Sequence, residues 1–323
     1  LAAGRYTLDV PTHAIRESFA PAPICDTWET RRPGSSIIGP GTTRLPLLRT
    51  LRKLPRGVLF VSACAHIGDQ VCVCLHTTAR TCRDVVLTLI AASPMASHVT
   101  VKGGVVMQQV SGDVRRATRD VDLDFVRYPM TVEGIRAFLH ALCQSGSGVA
   151  LEVVGPIVDL KHQDYHGKRV NLRISDCNGM SMETKLDLGV HDSLALEQKE
   201  LWFDTALCEA GVALMANSKE QMCAEKLCSL IRIGAASTRF KDVFDVYYLL
   251  CRVGVDAIAF DRAMRIMVYE AADMREDGRA AVHARLARVF GDKRFVRGLC
   301  RAHNNWLGAN VAKVTSGILR YFE

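Results

Sequence analysis

Three aspartates alternate with apolar residues in Asp120-Val121-Asp122-Leu123-Asp124-Phe125. Successive side chains of a strand take opposite faces. Asp120, Asp122 and Asp124 would then share one face, and Val121, Leu123 and Phe125 the other. Carboxylates crowded on one face repel, and their pKa values rise unless a cation neutralises them. Hard divalent cations take carboxylate oxygens, and Mg2+ commonly sits on one or two carboxylates plus substrate phosphates. The plain alternative is an exposed edge strand with solvated acids. Asp is a poor strand former, however, so three in alternation point to a metal held by Asp120 and Asp122.

Upstream lies Lys102-Gly103-Gly104, on an expected strand-to-helix turn. Paired glycines let the backbone approach a phosphate closely, and a helix N-terminus offers it free N–H groups. A third carboxylate comes from Lys185-Leu186-Asp187-Leu188. Leu186, Leu188 and Val190 share a face, so Asp187 points the other way, and a neighbouring strand could set it beside Asp120 and Asp122. Two ions held by three carboxylates can stabilise both the attacking and the leaving oxygen of a phosphoryl displacement.

A lysine stands out further on. Ser218-Lys219-Glu220-Gln221 fits a capping box. In the helix that follows, Met222, Cys223, Leu227, Leu230 and Ile231 fall within one half of the wheel. Lys226 lies inside that arc, where a lysine needs an anionic partner; snorkelling at the edge of the stripe is the alternative. Asp242 and Asp245, three apart on the next helix, share a side, and either Asp242 or Asp245 could hold Lys226 while the site is empty. Lys226→Ala is accordingly expected to leave the stability of the empty protein little changed.

The elements that must position these groups follow from periodicity. Residues 82–92 suit a helix, 98–101 a strand, 105–110 a short helix and 120–126 a strand. Thr131 caps a helix carrying Ile135, Phe138, Leu139 and Leu142. Residues 170–174 and 183–190 alternate as strands. From Ser193 onward the pattern reads as mostly helical. The expected organisation is an irregular extension over 1–57, which holds seven of the ten prolines, a core over 58–192 and a helical domain over 193–323. The fold class is α/β (α+β), a mixed sheet with a helical C-terminal half.

Composition narrows the class. With 323 residues, 49% hydrophobic and 23% charged, the chain can bury a core without staples. Wholesale disorder is excluded. No apolar run is long enough to span a membrane. The 12 cysteines form no CxxC pair, so zinc-knuckle and redox readings fail on spacing. Reduced thiols, a cytoplasmic location and the absence of a signal peptide are expected. Cys72 and Cys74, one residue apart, read as alternate positions on a strand. His98, His140, His162, His166 and His191 lack zinc-ligand spacing. The net charge is +7, and residues 284–323 hold eight Lys/Arg against two Asp/Glu. A basic surface raises the odds of an anionic partner.

Gly103-Gly104, Asp120-x-Asp122 and Asp187, in that order, resemble the nucleotidyltransferase fold of the DNA polymerase β type. More narrowly, Lys102-Gly103-Gly104 leading to Arg116-Ala117-Thr118-Arg119-Asp120-Val121-Asp122-Leu123, then Lys185-Leu186-Asp187-Leu188-Gly189, Ala224-Glu225-Lys226-Leu227 and Arg239-Phe240-Lys241-Asp242-Val243-Phe244-Asp245-Val246 resemble the AbiEii/MenT family of nucleotidyltransferase toxins. Where that family often carries a small hydroxyl residue after the glycines, Val105 and Val106 follow here. The resemblance covers about 80–290.

It implies Mg2+-dependent transfer of a nucleotide monophosphate from an NTP to an acceptor, for some members the 3′ end of tRNA, and a cognate antitoxin partner. It also implies two Mg2+ on Asp120, Asp122 and Asp187, with Lys226 joining those three in catalysis. The nucleotide would meet Lys102, Gly103, Gly104, Arg116, Thr118, Lys226, Asp242 and Asp245. The rival readings are transfer to a protein or small molecule, and an inactive binding module of the same fold. No membrane partner is expected.

Overall fold

The computed structural model describes residues 71–118, 120–144, 148–160, 167–176, 179–191, 195–205 and 207–323. The expected extension over 1–57 lies outside them. Within the compact unit that contains these residues, an eight-stranded mixed sheet packs against helices.

Helix α1 (Val71–Ala92) leads to β1 (Val99–Lys102), α2 (Gly103–Ser111) and β2 (Val121–Phe125). Next come α3 (Val132–Cys143), β3 (Ala150–Val153), β4 (Val158–Asp159), β5 (Lys168–Ser175) and β6 (Ser181–Val190). The strands run in the order β3-β5-β6-β2-β1, followed by two more, with β4 paired to β5. β2 pairs antiparallel with β1 and parallel with β6.

The apolar partners Val99, Val101, Val121, Leu123, Leu186, Leu188, Val170 and Leu172 are all buried. They form the face against which α1 packs. Thr131 caps α3 as expected, its hydroxyl accepting the Gly134 N–H at 3.0 Å, and Ile135, Phe138, Leu139 and Leu142 are buried. Cys72 and Cys74 lie in α1, not on a strand. Two residues one apart cannot separate a period of 2 from a period of 3.6.

The helical expectation from residue 193 meets two strands first. β7 (Gln198–Thr205) and β8 (Cys208–Asn217) form an antiparallel pair, and β8 joins the sheet parallel to β1. Their sequences, rich in Ala, Leu, Met, Glu and Lys, favour a helix locally. Sheet pairing and the burial of Val212, Leu214 and Ala216 override that preference.

Helices follow: α4 (Lys219–Ile233), α5 (Phe240–Tyr248), α6 (Ala257–Met264), α7 (Arg279–Gly291), α8 (Lys293–Arg301) and α9 (Val311–Phe322). Ser218 caps α4, accepting the Gln221 N–H at 3.1 Å. The Gln221 amide donates to Glu225 at 2.9 Å, so the return half of the capping box is not made. Among the described residues no helix is long and apolar enough to cross a membrane. Cys82, Cys143, Cys208, Cys223, Cys228, Cys251 and Cys300 are free thiols, with Cys82, Cys208, Cys223 and Cys228 buried.

Candidate active site

The second face of the sheet is polar where β1, β2, β5 and β6 meet. Asp122 stands directly opposite Asp187 in the parallel β2–β6 pair, so both carboxylates emerge on one face. Asp120 sits just before β2 and is exposed, while Asp122 is half-buried. Removal from water pushes the Asp122 carboxyl up to about 6, opposed by Lys102 and reinforced by Asp187 and Asp120. Asp124, further along the face, is buried in an ion pair with Lys102 at 2.5 Å.

Arg169 on β5, facing Asp187 in the antiparallel register, was not legible as a site residue. Its Nε and Nη2 donate to the two Asp187 oxygens at 2.7 and 2.6 Å. An alternating Lys-Arg-Val-Asn run announces a strand, but not which carboxylate its arginine will meet.

The glycine turn closes over Asp122. Gly103 has φ +64°, and a Cβ there would overlap the Asp122 carboxylate; one on Gly104 would overlap the Thr118 side chain. Only glycines allow this approach. The Gly104 N–H, at the start of α2, points to Asp122 Oδ2 at 3.4 Å. Val105 and Val106 are buried in the core.

Lys226 and its partners form a second cluster. The ammonium of Lys226 pairs with Asp242 and, at 3.0 Å, with Asp245. Burial alone would lower its pKa, but the two carboxylates outweigh burial and hold it above the usual lysine range. Asp245 is fully buried. It also accepts Arg116 Nε and Nη2 at 2.7 and 2.6 Å, and the Trp306 indole N–H at 2.9 Å. Burial would raise the Asp245 carboxyl; Lys226 and Arg116 outweigh it and depress the pKa.

Arg116 is 2% exposed, so its guanidinium serves Asp245, whereas the half-buried Asp242 is the more accessible partner of Lys226. In the sequence, Lys241 is marked out by nothing beyond its place in the stretch from Arg239 to Val246. Its ammonium donates to the Ala117 carbonyl at 3.0 Å, and burial, then Arg116, push it down to about 8. Glu225, beside Lys226 in sequence, accepts from Asn217 at 3.0 Å, and burial raises its pKa.

The expected residues thus fall into two groups. Asp120, Asp122, Asp187, Gly103, Gly104 and Thr118 surround the sheet's polar edge, and Arg116, Lys226, Asp242 and Asp245 form the helix cluster. Ala117, between Arg116 and Thr118 in the chain, ties the groups together through Lys241. Among the described residues no three His, Cys, Asp or Glu side chains gather as metal ligands; His162 and His166 lie outside them. The donor chemistry of Asp122 and Asp187 nevertheless fits a hard divalent cation. It is carboxylate oxygen only, and a cation would relieve the repulsion that helps to raise Asp122.

No curated protein matches the chain. A family model described as "Nucleotidyl transferase AbiEii toxin, Type IV TA system" matches residues 85–297, from within α1 to within α8. With the glycine turn, the paired aspartates and the Lys226 cluster all inside that span, the chain belongs to the AbiEii nucleotidyl transferase toxin family of type IV toxin–antitoxin systems.

Proposed function

We propose that this protein transfers a nucleotide monophosphate from an NTP to the 3′ end of tRNA, with Mg2+ as cofactor and a cognate antitoxin as its partner. The observation that carries the reading is Asp122 set opposite Asp187 beneath the Gly103–Gly104 turn. It brings carboxylates and a phosphate-binding backbone to one spot. Asp120, Asp122 and Asp187 would hold the ions. Bound Mg2+ would neutralise phosphate charge as a Lewis acid.

The chain's own residues do the rest. The amides at the start of α2 receive the triphosphate. Lys226, held in place by Asp242 and Asp245, faces charge developing on the leaving pyrophosphate, the electrostatic work that phosphoryl transfer needs. Asp187 helps to take the proton of the acceptor hydroxyl once Arg169 gives up its oxygens. Lys102, paired with Asp124, steadies the strand end from which the glycine turn departs.

The test is incubation with each labelled NTP, total cellular RNA and lysate protein. Label on tRNA supports the proposal. Label on a protein or small molecule instead moves the acceptor to that class. Absence of pyrophosphate release with every NTP would make the chain a binding module.

A further inference from the structure

Helix α8 is anchored on one side and charged on the other. Phe295 and Leu299 are buried. Gly298 lies so close to Phe240 that a Cβ would stand 2.5 Å from the ring Cζ, and the Phe240 and Phe295 ring centroids are 5.6 Å apart. At 100° per residue, Lys293, Arg294, Arg297 and Arg301 fall within an arc of about 100°, and all four are exposed.

Among the described residues none of the four is in an ion pair. The neighbouring acid, Asp292, is used as the N-cap and accepts the Phe295 N–H at 2.7 Å. By contrast, the exposed Arg115, Arg262 and Arg265 each meet a carboxylate, at 2.7, 3.2 and 3.0 Å. Like charges one turn apart weaken a helix, so α8 carries a stripe of one sign that its own fold does not neutralise.

We propose that α8 binds the phosphate backbone of the acceptor RNA. The inference rests on the RNA acceptor of the preceding reading and assigns it a surface. Guanidinium forks match phosphate oxygens. From Lys293 to Arg301 the helix rises about 12 Å, the reach of a few consecutive phosphates. The stripe contains no aromatic side chain on which a base could stack, so this contact positions RNA without reading its sequence. Its location suits the chemistry. Phe240, against which α8 is seated, is the first residue of α5 and stands two residues before Asp242, the partner of Lys226.

The experiment uses the full chain carrying Arg294→Gln, Arg297→Gln and Arg301→Gln together. The probes are deacylated bulk tRNA and a single-stranded RNA 20-mer of arbitrary sequence. RNA affinity should fall tenfold or more at about 0.1 M salt. The slope of log affinity against log salt should shrink by about 2–3, the scale for three lost phosphate contacts. KM for RNA should rise while kcat and NTP binding stay as in the wild type and the thermal midpoint does not fall.

Wild-type RNA affinity and salt slope in the triple variant would overturn the proposal. If that variant also transfers label to RNA with unchanged KM, the RNA reading stands and only the α8 assignment falls. If the wild type labels protein and binds neither RNA probe, the acceptor reading itself falls and takes this one with it. Loss of binding to an acidic polypeptide such as polyglutamate, with RNA binding intact, would assign the stripe to a protein partner and overturn the RNA assignment.

Discussion

Arg169 and Asp187 are joined across the β5–β6 pair by two hydrogen bonds of 2.7 and 2.6 Å. The guanidinium occupies both oxygens of the carboxylate proposed as the third metal ligand. It also lies within electrostatic reach of Asp120 and Asp122, so it acts as a counter-ion of the acidic group. Arg169→Gln should raise the titration midpoint of Asp122 above about 6, read by carboxyl-carbon NMR, because Asp187 would lose its neutralising partner. The same variant should bind Mn2+ severalfold more tightly, measured by EPR. An unchanged midpoint together with unchanged Mn2+ affinity would reduce Arg169 to a strut.

Asp122 gives a pH signature. Its folded pKa of about 6 exceeds the unfolded value of about 3.9. Between these values the native state binds more protons, so this group's contribution to stability falls as pH rises through the window. Above it, the charged form costs up to about 3 kcal/mol. Asp122→Asn should therefore be more stable than the wild type at pH 8, with the gap closing toward pH 4, in urea unfolding. It should also lose transfer. Retained activity would remove Asp122 from the site.

Asp242 and Asp245 both hold Lys226, and that double pairing changes the effect expected of Lys226→Ala on stability. Lys226→Ala would leave one of the four donor groups on buried Asp245 missing and Asp242 without its ion pair. Removing one partner of a buried pair typically costs about 3–5 kcal/mol. Arg116 and Trp306 still satisfy Asp245, so the loss should sit near the lower end. Transfer should fall by about 10²-fold or more. A wild-type rate in a folded Lys226→Ala protein would defeat the triphosphate assignment.

Two glycines of α2 allow a controlled comparison. Gly103 and its C-cap Gly112 both have left-handed backbones, φ +64° and +62°, but a Cβ on Gly112 meets open space. Gly112→Ala should cost only backbone strain, about 1–2 kcal/mol. Gly103→Ala should cost more and displace the Asp122 carboxylate, impairing nucleotide binding as well. Equal thermal shifts in the two variants would show that the close approach at Gly103 has no consequence.

Lys241 titrates in the opposite sense to Asp122. Its folded pKa, about 8, lies below the unfolded value of about 10.4. The unfolded chain binds more protons between them, so this lysine makes stability rise with pH across that window. Burial, then Arg116 and Lys226, push it down, and Asp245 and Asp242 oppose them. Lys241→Met should be stabilised relative to wild type at pH 7.5, with the difference shrinking by pH 10. A difference that does not change with pH would place Lys241 in ordinary solvent.

The aspartate strand, the glycine turn, the Thr131 and Ser218 caps and the Lys226 stripe were legible because each is written in local periodicity and turn chemistry. The alternation at 120–125 is visible without knowing any partner strand. The register in which β2 would meet the strand of Asp187 was not visible. Asp122 meets Asp187 only because β2 and β6, some 65 residues apart, align in one parallel register, and a one-residue slip would turn Asp187 to the other face. The same holds for Arg169 on Asp187, for Arg116 and Trp306 converging on Asp245, and for β7 and β8, whose helix-forming residues become strands when β8 pairs with β1. Local sequence set what each segment could be; the long-range pairing of buried faces and opposite charges decided which groups meet, because that choice is made by the whole core at once.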